Sequence, residues 1–181
     1  MLRISENNVI DYLVQQRFLT SAEAAHSRAL ELPGGVSNLT IQIQTPDGCY
    51  VLKQALEKLR VKMDWYSDVR RIHVETDCMR LLGERIGTEL IPEIFFEERE
   101  NYLYVMASAP AGASTWKGQL LAGEVNLNIA ERLGRLLGEI HQRTHDQGAE
   151  IAQRFDNDEF FIQLRVDPYY NTIAKVHTEL G

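Results

Sequence analysis

The sequence predicts an α+β fold: a small, mostly antiparallel sheet with one helix packed against it, followed by a run of helices only. Three observations carry this expectation. Two strand-like stretches each fold back at a turn, one at Thr45–Gly48 and one at Glu98–Asn101. A long helical pattern, roughly Ser67 to Ile86, separates the two hairpins. From about Asn126 onward the apolar spacing is helical throughout.

The elements follow in order. Ile10, Leu13, Val14 and Phe18 share one face of a short amphipathic helix. Thr20 and Glu23 have the spacing of a capping box, which opens a second helix. Two short helices in tandem can read DNA, but few basic residues lie here, so packing is the expected role. Ile41 and Ile43 alternate with Gln42 and Gln44 as a half-exposed strand. Thr45-Pro-Asp-Gly48 then supplies a turn in which Pro46 presets φ and Gly48 is expected at positive φ. Tyr50–Lys53 is the returning strand, and Glu93–Glu97 and Tyr102–Met106 form the second hairpin. In the last region Leu133, Leu137, Ile140 and Thr144 form a stripe, and Gly134 and Gly138 would permit close helix contact. Asp167-Pro168 is expected to break a helix, and Asp156 with Glu159 to start one. The small residues between Ala107 and Ala113 mark a joint, which divides the chain into residues 1–108 and 109–181.

Composition excludes several classes. The 181 residues are 44% hydrophobic and 25% charged, enough for one sizeable domain or two small lobes. A formal net charge of −7 argues against duplex nucleic-acid binding, which needs a basic footprint. Cys49 and Cys78 are too few for a disulfide framework and are expected to be buried, reduced thiols of a cytoplasmic protein. The first residues carry Glu6 and Asp11 with no continuous apolar core, so a signal peptide is not expected, and no apolar run reaches membrane-spanning length. His141 and His145 lie four apart on a helix without a convincing third ligand, so no metal site is assigned. Trp65 and Trp116 are expected to pack at the core or the joint.

One residue resists this inventory. Lys53 sits in an apolar strand, where an unpaired charge is costly. Glu75, 22 residues later, lies three after Ile72 and four before Met79, on or beside the apolar face of the long helix. A carboxylate there and an amine on the facing strand would each solve the other's problem. Taken alone, the two read equally well as a stabilising pair. The glycine-rich turn upstream, Gly34-Gly35-Val36-Ser37-Asn38, tilts the balance, because its backbone amides can receive an anion. A lysine held by a carboxylate beneath such a turn is the arrangement that positions nucleotide phosphates.

In this order, "GGVSN", "VLKQA", the helix glutamate, "YLYVM" and the small-residue joint resemble the N-terminal lobe of the protein-kinase-like small-molecule kinases. This group holds the aminoglycoside phosphotransferases, choline kinases and methylthioribose kinases. The closest local likeness, through Arg60, Trp65, Arg71 and Glu75, is to methylthioribose kinase. "AERLGRLLGEIHQRTH" resembles the first long helix of the family's C-terminal lobe, and "FIQLRVDPYY" the segment that follows. The resemblance implies a kinase-like N-terminal lobe followed by the first helices of an incomplete helical lobe.

The resemblance also implies roles. ATP would be bound with Lys53 on its α- and β-phosphates, Glu75 orienting that lysine, and Gly34, Gly35, Val36, Ser37 and Asn38 covering the phosphates. Backbone groups at Met106, Ala107 and Ser108 would hold adenine. Two departures stand out. Ala107 occupies a position that is often acidic in the family, and the turn lacks the three-glycine pattern of protein kinases. More seriously, the family's His-Gly-Asp-x-x-x-x-Asn loop and metal-binding Asp are not found. His145-Asp146 has Ile151 where Asn is required, and Asp167 has Asn171 one position too early and no His-Gly lead. The chain therefore reads as the first portion of a longer kinase-like protein, with no catalytic residue of its own and the Mg²⁺ ligands beyond it. Its partners are expected to be ATP and an unidentified small hydroxyl-bearing substrate, with neither nucleic acid nor membrane. The alternatives are a non-catalytic protein that kept the nucleotide lobe, and a helical regulatory domain without nucleotide.

Overall fold

The computed structural model describes residues 2–145 and 148–180. Asp146, considered above beside His145, lies outside the described residues. Two short helices lead, α1 (Val9–Gln15) and α2 (Ser21–Ala24). A five-stranded antiparallel sheet follows, built from β1 (Arg28–Glu31), β2 (Asn38–Thr45), β3 (Gly48–Ala55), β4 (Ile94–Glu98) and β5 (Leu103–Ala107) in the order β1-β2-β3-β5-β4. Helix α3 (Arg71–Ile86) is inserted between β3 and β4. Beyond the sheet come α4 (Trp116–Leu121), α5 (Leu127–His145), α6 (Gly148–Phe155), α7 (Glu159–Phe161), a π-helix (Ile162–Asn171), α8 (Thr172–Val176) and a 3-10 turn (Thr178–Leu180). The expected α+β order of sheet, packed helix and terminal helices is what the molecule shows.

The sheet is buried on both faces. On one, Leu39, Ile41, Ile43, Leu52, Leu103 and Val105 pack with Val9, Tyr12 and Leu13 of α1. Burying these side chains is the main favourable term for the lobe. Gln54 is the polar exception on this face, and all its hydrogen-bonding capacity used here goes to backbone. Its amide donates to the carbonyls of Leu2 (2.7 Å) and Asn101 (3.0 Å), and its oxygen accepts from Ile4 N (3.0 Å). The buried amide thus stitches the N-terminal segment to the sheet. The other face carries Ala55 and Tyr104, with Ile72 of α3 and the half-buried Val69, Met79 and Met106. Lys53 lies on this second face, paired across the ladder with Tyr104 of β5.

Several local expectations hold. The capping box is complete: Thr20 Oγ1 accepts from Glu23 N, and the Glu23 carboxylate accepts from Thr20 N. The Thr45–Gly48 turn closes a hairpin, with Thr45 Oγ1 accepting from Gly48 N at 3.1 Å.

Other expectations need correction. Gly48 is not at positive φ; it already belongs to extended β3, and the turn is made without a left-handed residue. Helix α3 begins at Arg71 rather than Ser67, because Asp68 folds its carboxylate back onto Arg70 N (2.8 Å) and shorter-range bonds lead into the helix. Pro168 does not break a helix but lies inside the π-helix, whose wider turns relieve the clash of its ring with the preceding carbonyls. The helix after Asp156 begins at Glu159, with Asn157 rather than Asp156 accepting from its amide. A Cβ at Gly134 or Gly138 would meet nothing within 4 Å, so neither supports a close helix approach among the described residues. Cys49 and Cys78 are half-buried rather than buried, and both are free.

Candidate active site

Strand β3 and helix α3 bring Lys53 and Glu75 together. The Lys53 ammonium is hydrogen-bonded to Glu75 Oε1 as an ion pair. The same oxygen accepts the Tyr104 hydroxyl at 3.0 Å, and the Lys53 nitrogen lies 5.6 Å from the centre of the Tyr104 ring. Burial first, then the charge and hydrogen bond of Glu75, push the Tyr104 hydroxyl well above the ordinary tyrosine range. Tyr104 therefore stays a donor. The lysine side chain is 18% exposed and the carboxylate 36%, so the pair has water on one side only. An amine so placed can still meet a solute.

The glycine turn joins β1 to β2, which puts it at the end of a strand pair that the sequence did not reveal. Gly34 has φ +99, a conformation glycine adopts at little cost, while a Cβ at Gly35 would make only ordinary contact with the Asn38 carbonyl at 3.4 Å. The carbonyl oxygens at the end of this turn are occupied. Val36 O accepts from Arg60 N (2.9 Å), and Ser37 O accepts from Leu56 N (3.0 Å) and from Arg71 Nη2 (2.5 Å). The amides of Gly34, Val36 and Ser37 donate to no protein acceptor among the described residues, while that of Gly35 closes the turn at Pro33-Gly34. Asn38 pairs with Ala55 at the start of β2, and its buried Oδ1 has no partner among the described residues. Engaged carbonyls and free amides are what an anion-receiving turn requires.

Met106 and Ala107 end β5, and Met106 pairs with Val51 of β3. The amide of Ala107 donates to Glu93 O (2.8 Å) and that of Ser108 to Cys49 O (3.3 Å), while Ser108 Oγ lies 3.4 Å from the Gln42 amide nitrogen. Among these residues the next amide, that of Ala109, is without a protein acceptor among those described, and Pro110 has none to offer. The sequence pointed to residues 106–108; the geometry adds Ala109, which only the hydrogen-bond pattern of the sheet edge could single out.

Two further residues acquire weight. Arg71, quoted above only for its likeness, is 9% exposed, and its guanidinium donates to the carbonyls of Ser67, Asp68, Ser37 and Leu56. Gln163, on the π-helix, accepts from Ser67 Oγ (2.9 Å) and Asp68 N (3.0 Å) through its amide oxygen and from Trp65 Nε1 (2.9 Å) through its backbone. Trp65 thus fastens the loop before α3 to the helical region. Among the described residues no group of three or more His, Cys, Asp or Glu side chains could hold a metal ion. No helix among them is long and apolar enough to cross a membrane.

The lobe is thus antiparallel, with a lysine on its third strand, a carboxylate on the inserted helix and an open turn between its first two strands. The profile of the phosphotransferase enzyme family (APH) matches residues 28–174, and the chain belongs to that family. No curated protein matches the chain in a sequence comparison.

Proposed function

We propose that this chain carries the ATP-facing half of a small-molecule kinase that transfers the γ-phosphate of ATP to a substrate hydroxyl. One observation carries the reading: Lys53, held by Glu75 and Tyr104, shares a lobe with a turn in which the amides of Gly34, Val36 and Ser37 are unspent. Lys53 supplies a fixed positive charge to the α- and β-phosphates, and Glu75 sets its direction. The amides of the turn 34–38 cover the phosphates. Adenine is held at the joint by backbone groups of Met106, Ala107 and Ser108, with Ala109 adding a free amide. The domain division proposed is a nucleotide lobe over residues 1–108 and the start of a helical lobe over 109–181, in a cytoplasmic protein.

The acceptor is a small hydroxyl compound, and the likeness of "GGVSN" and "VLKQA" supports the methylthioribose kinase branch. Mg²⁺ accompanies ATP in such chemistry, where it neutralises phosphate charge. The described residues do not fit it as ligands, so no step is assigned to a metal here.

Calorimetric titration with ATP tests the reading. Wild-type chain is expected to bind ATP, and Lys53→Ala to weaken that binding by about tenfold or more, the loss of one charge-assisted contact. Equal ATP affinity in the two proteins would refute it. Binding by an active parent that shows no transfer to any hydroxyl would instead favour a non-catalytic nucleotide-binding protein.

A further inference from the structure

A buried guanidinium normally meets a carboxylate. Arg71 does not: it forms no ion pair among the described residues and spends its donors on the carbonyls of Ser37, Leu56, Ser67 and Asp68. These oxygens belong to three separate segments, namely the last part of the glycine turn, the residue following β3, and the lead-in to α3. One rigid, planar group therefore spans all three, which a lysine's single nitrogen could not do with the same geometry. Nη2 alone bridges Ser37 and Leu56, at 2.5 and 2.8 Å. Nη1 holds Ser67 and Asp68, at 3.0 and 2.9 Å. The helix that starts at Arg71 carries Glu75 one turn later, and residues four apart on a helix are neighbours on its surface. The side chain that turns the Ser37 carbonyl aside is thus fixed to the helix that aims Lys53.

We infer that Arg71 is a positioning residue for the triphosphate, which shapes the turn 34–38 by holding the Ser37 carbonyl and couples that turn to the helix bearing Glu75. The inference rests on the nucleotide-binding reading above and adds to it a mechanical link between its two halves. Ser37 O is kept facing Arg71 and Leu56 N, away from a bound anion that it would repel. Glu75 and Asp68 lie near enough to act on the guanidinium charge, so its part is to orient the Ser37 carbonyl rather than to supply a free charge. Because the same group grips the approach to α3, the turn and the helix shift together rather than independently.

The test compares ATP with adenosine, which shares the base and sugar but has no phosphate. Affinities are measured by calorimetry for the wild-type chain, Lys53→Ala, Arg71→Lys and Arg71→Met, with the thermal midpoint of each recorded separately. Arg71→Lys is expected to weaken ATP about tenfold, the equivalent of one lost charge-assisted hydrogen bond, and to leave adenosine binding nearly unchanged. Amide hydrogen exchange supplies the second readout. In wild type, ATP is expected to slow exchange both at residues 34–38 and at the start of α3; in Arg71→Lys only the joint near Met106 should still respond. A merely structural arginine would lower the thermal midpoint while ATP and adenosine affinities moved together, and that outcome overturns the inference. So does protection of the turn by ATP without any change in α3. Should Arg71→Met fail to fold, the lysine variant and the wild-type exchange data decide. Should Lys53→Ala weaken ATP while Arg71→Lys binds it normally, the coupling fails and the nucleotide site stands. Should wild type not bind ATP, both fall together.

Discussion

Tyr104 and Lys53, opposite each other on β5 and β3, converge on the same oxygen of Glu75. The carboxylate that orients the lysine is therefore itself oriented, by a hydroxyl from the strand that leads to the joint. Tyr104→Phe keeps the ring and deletes only that donor. It is expected to cost about 1 kcal/mol of stability, the usual net worth of one hydrogen bond. A denaturant titration reads it, and an unchanged midpoint would show that the hydroxyl is idle.

Lys53 and Glu75 should differ in severity. Lys53→Ala removes the charge meant for phosphate, whereas Glu75→Ala leaves the charge and loosens its aim. In ATP titrations the glutamate variant is expected to lie between wild type and the lysine variant. Reversal of that order would mean that the carboxylate, not the amine, makes the decisive contact.

The outer side of α3 predicts a pH dependence. Burial first, then the Arg99 guanidinium, hold the His73 imidazole below its ordinary pKa, outweighing Glu97 and Asp77. Its Nδ1 is 3.6 Å from Glu97, too long for a hydrogen bond. Burial would raise the Glu97 carboxyl, but the hydrogen bond and charge of Arg80, then Thr76 and Arg99, hold it below the usual range. Both folded values lie under the unfolded ones, so both groups lend stability at neutral pH and surrender it as pH falls. The loss should begin near pH 6.5, about the unfolded histidine value, and resume below about 4.3, the unfolded glutamate value. Thermal melts across this range measure it. His73→Gln should flatten the first leg and spare the second; an unaltered first leg would assign it elsewhere.

Gln163 joins the π-helix to the loop ahead of α3 through Trp65, Ser67 and Asp68. Gln163→Leu leaves the Asp68 amide and Ser67 hydroxyl without this partner, at an expected cost of about 1–2 kcal/mol. Trp65 fluorescence should shift to the red as its loop loosens. A melt and a spectrum identical to wild type would show that this contact holds nothing in place.

The 181-residue chain, given ATP, Mg²⁺ and a panel of aminoglycosides, methylthioribose and amino alcohols, is expected to release no ADP in a substrate-dependent way at an enzymatic rate. Phosphoryl transfer depends on aligning acceptor and donor together, and none of its residues matches the family's aspartate loop. Robust ADP release abolished by Lys53→Ala would place the catalytic aspartate within the chain after all.

The legible parts of the molecule were those written in side-chain periods and turn chemistry. Alternation at Ile41 and Ile43, the turn at Pro46, and the placing of Glu75 between Ile72 and Met79 all depend on side chains. They led to two hairpins, α3 and the ion pair. Strand β1 escaped because Arg28–Glu31 is a short edge strand with Leu30 left 57% exposed, so no face alternates clearly. The engagement of Arg71 escaped for a different reason. Its partners are backbone carbonyls, which every residue has, so no pattern of residue types announces them. The same holds for the joint, where sheet-edge pairing decides which amides are spent.

Helix α3 is fastened from outside along its length: Gln163 holds its approach, Arg154 lies 3.5 Å from the Asp77 carbonyl, and Arg143 donates to Arg85 O at 2.6 Å. Those partners lie 58 to 98 residues further along the chain than the groups they hold. A ribosome adds about 5–20 residues per second. The ion pair, whose members are only 22 residues apart, can close seconds before any of these outer fastenings has been synthesised. A growing chain thus passes through an interval in which the helix bearing Glu75 is gripped from the sheet side alone. Slow translation through residues 143–163 would lengthen that interval, and with it the time during which the outer side of α3 is open to other molecules.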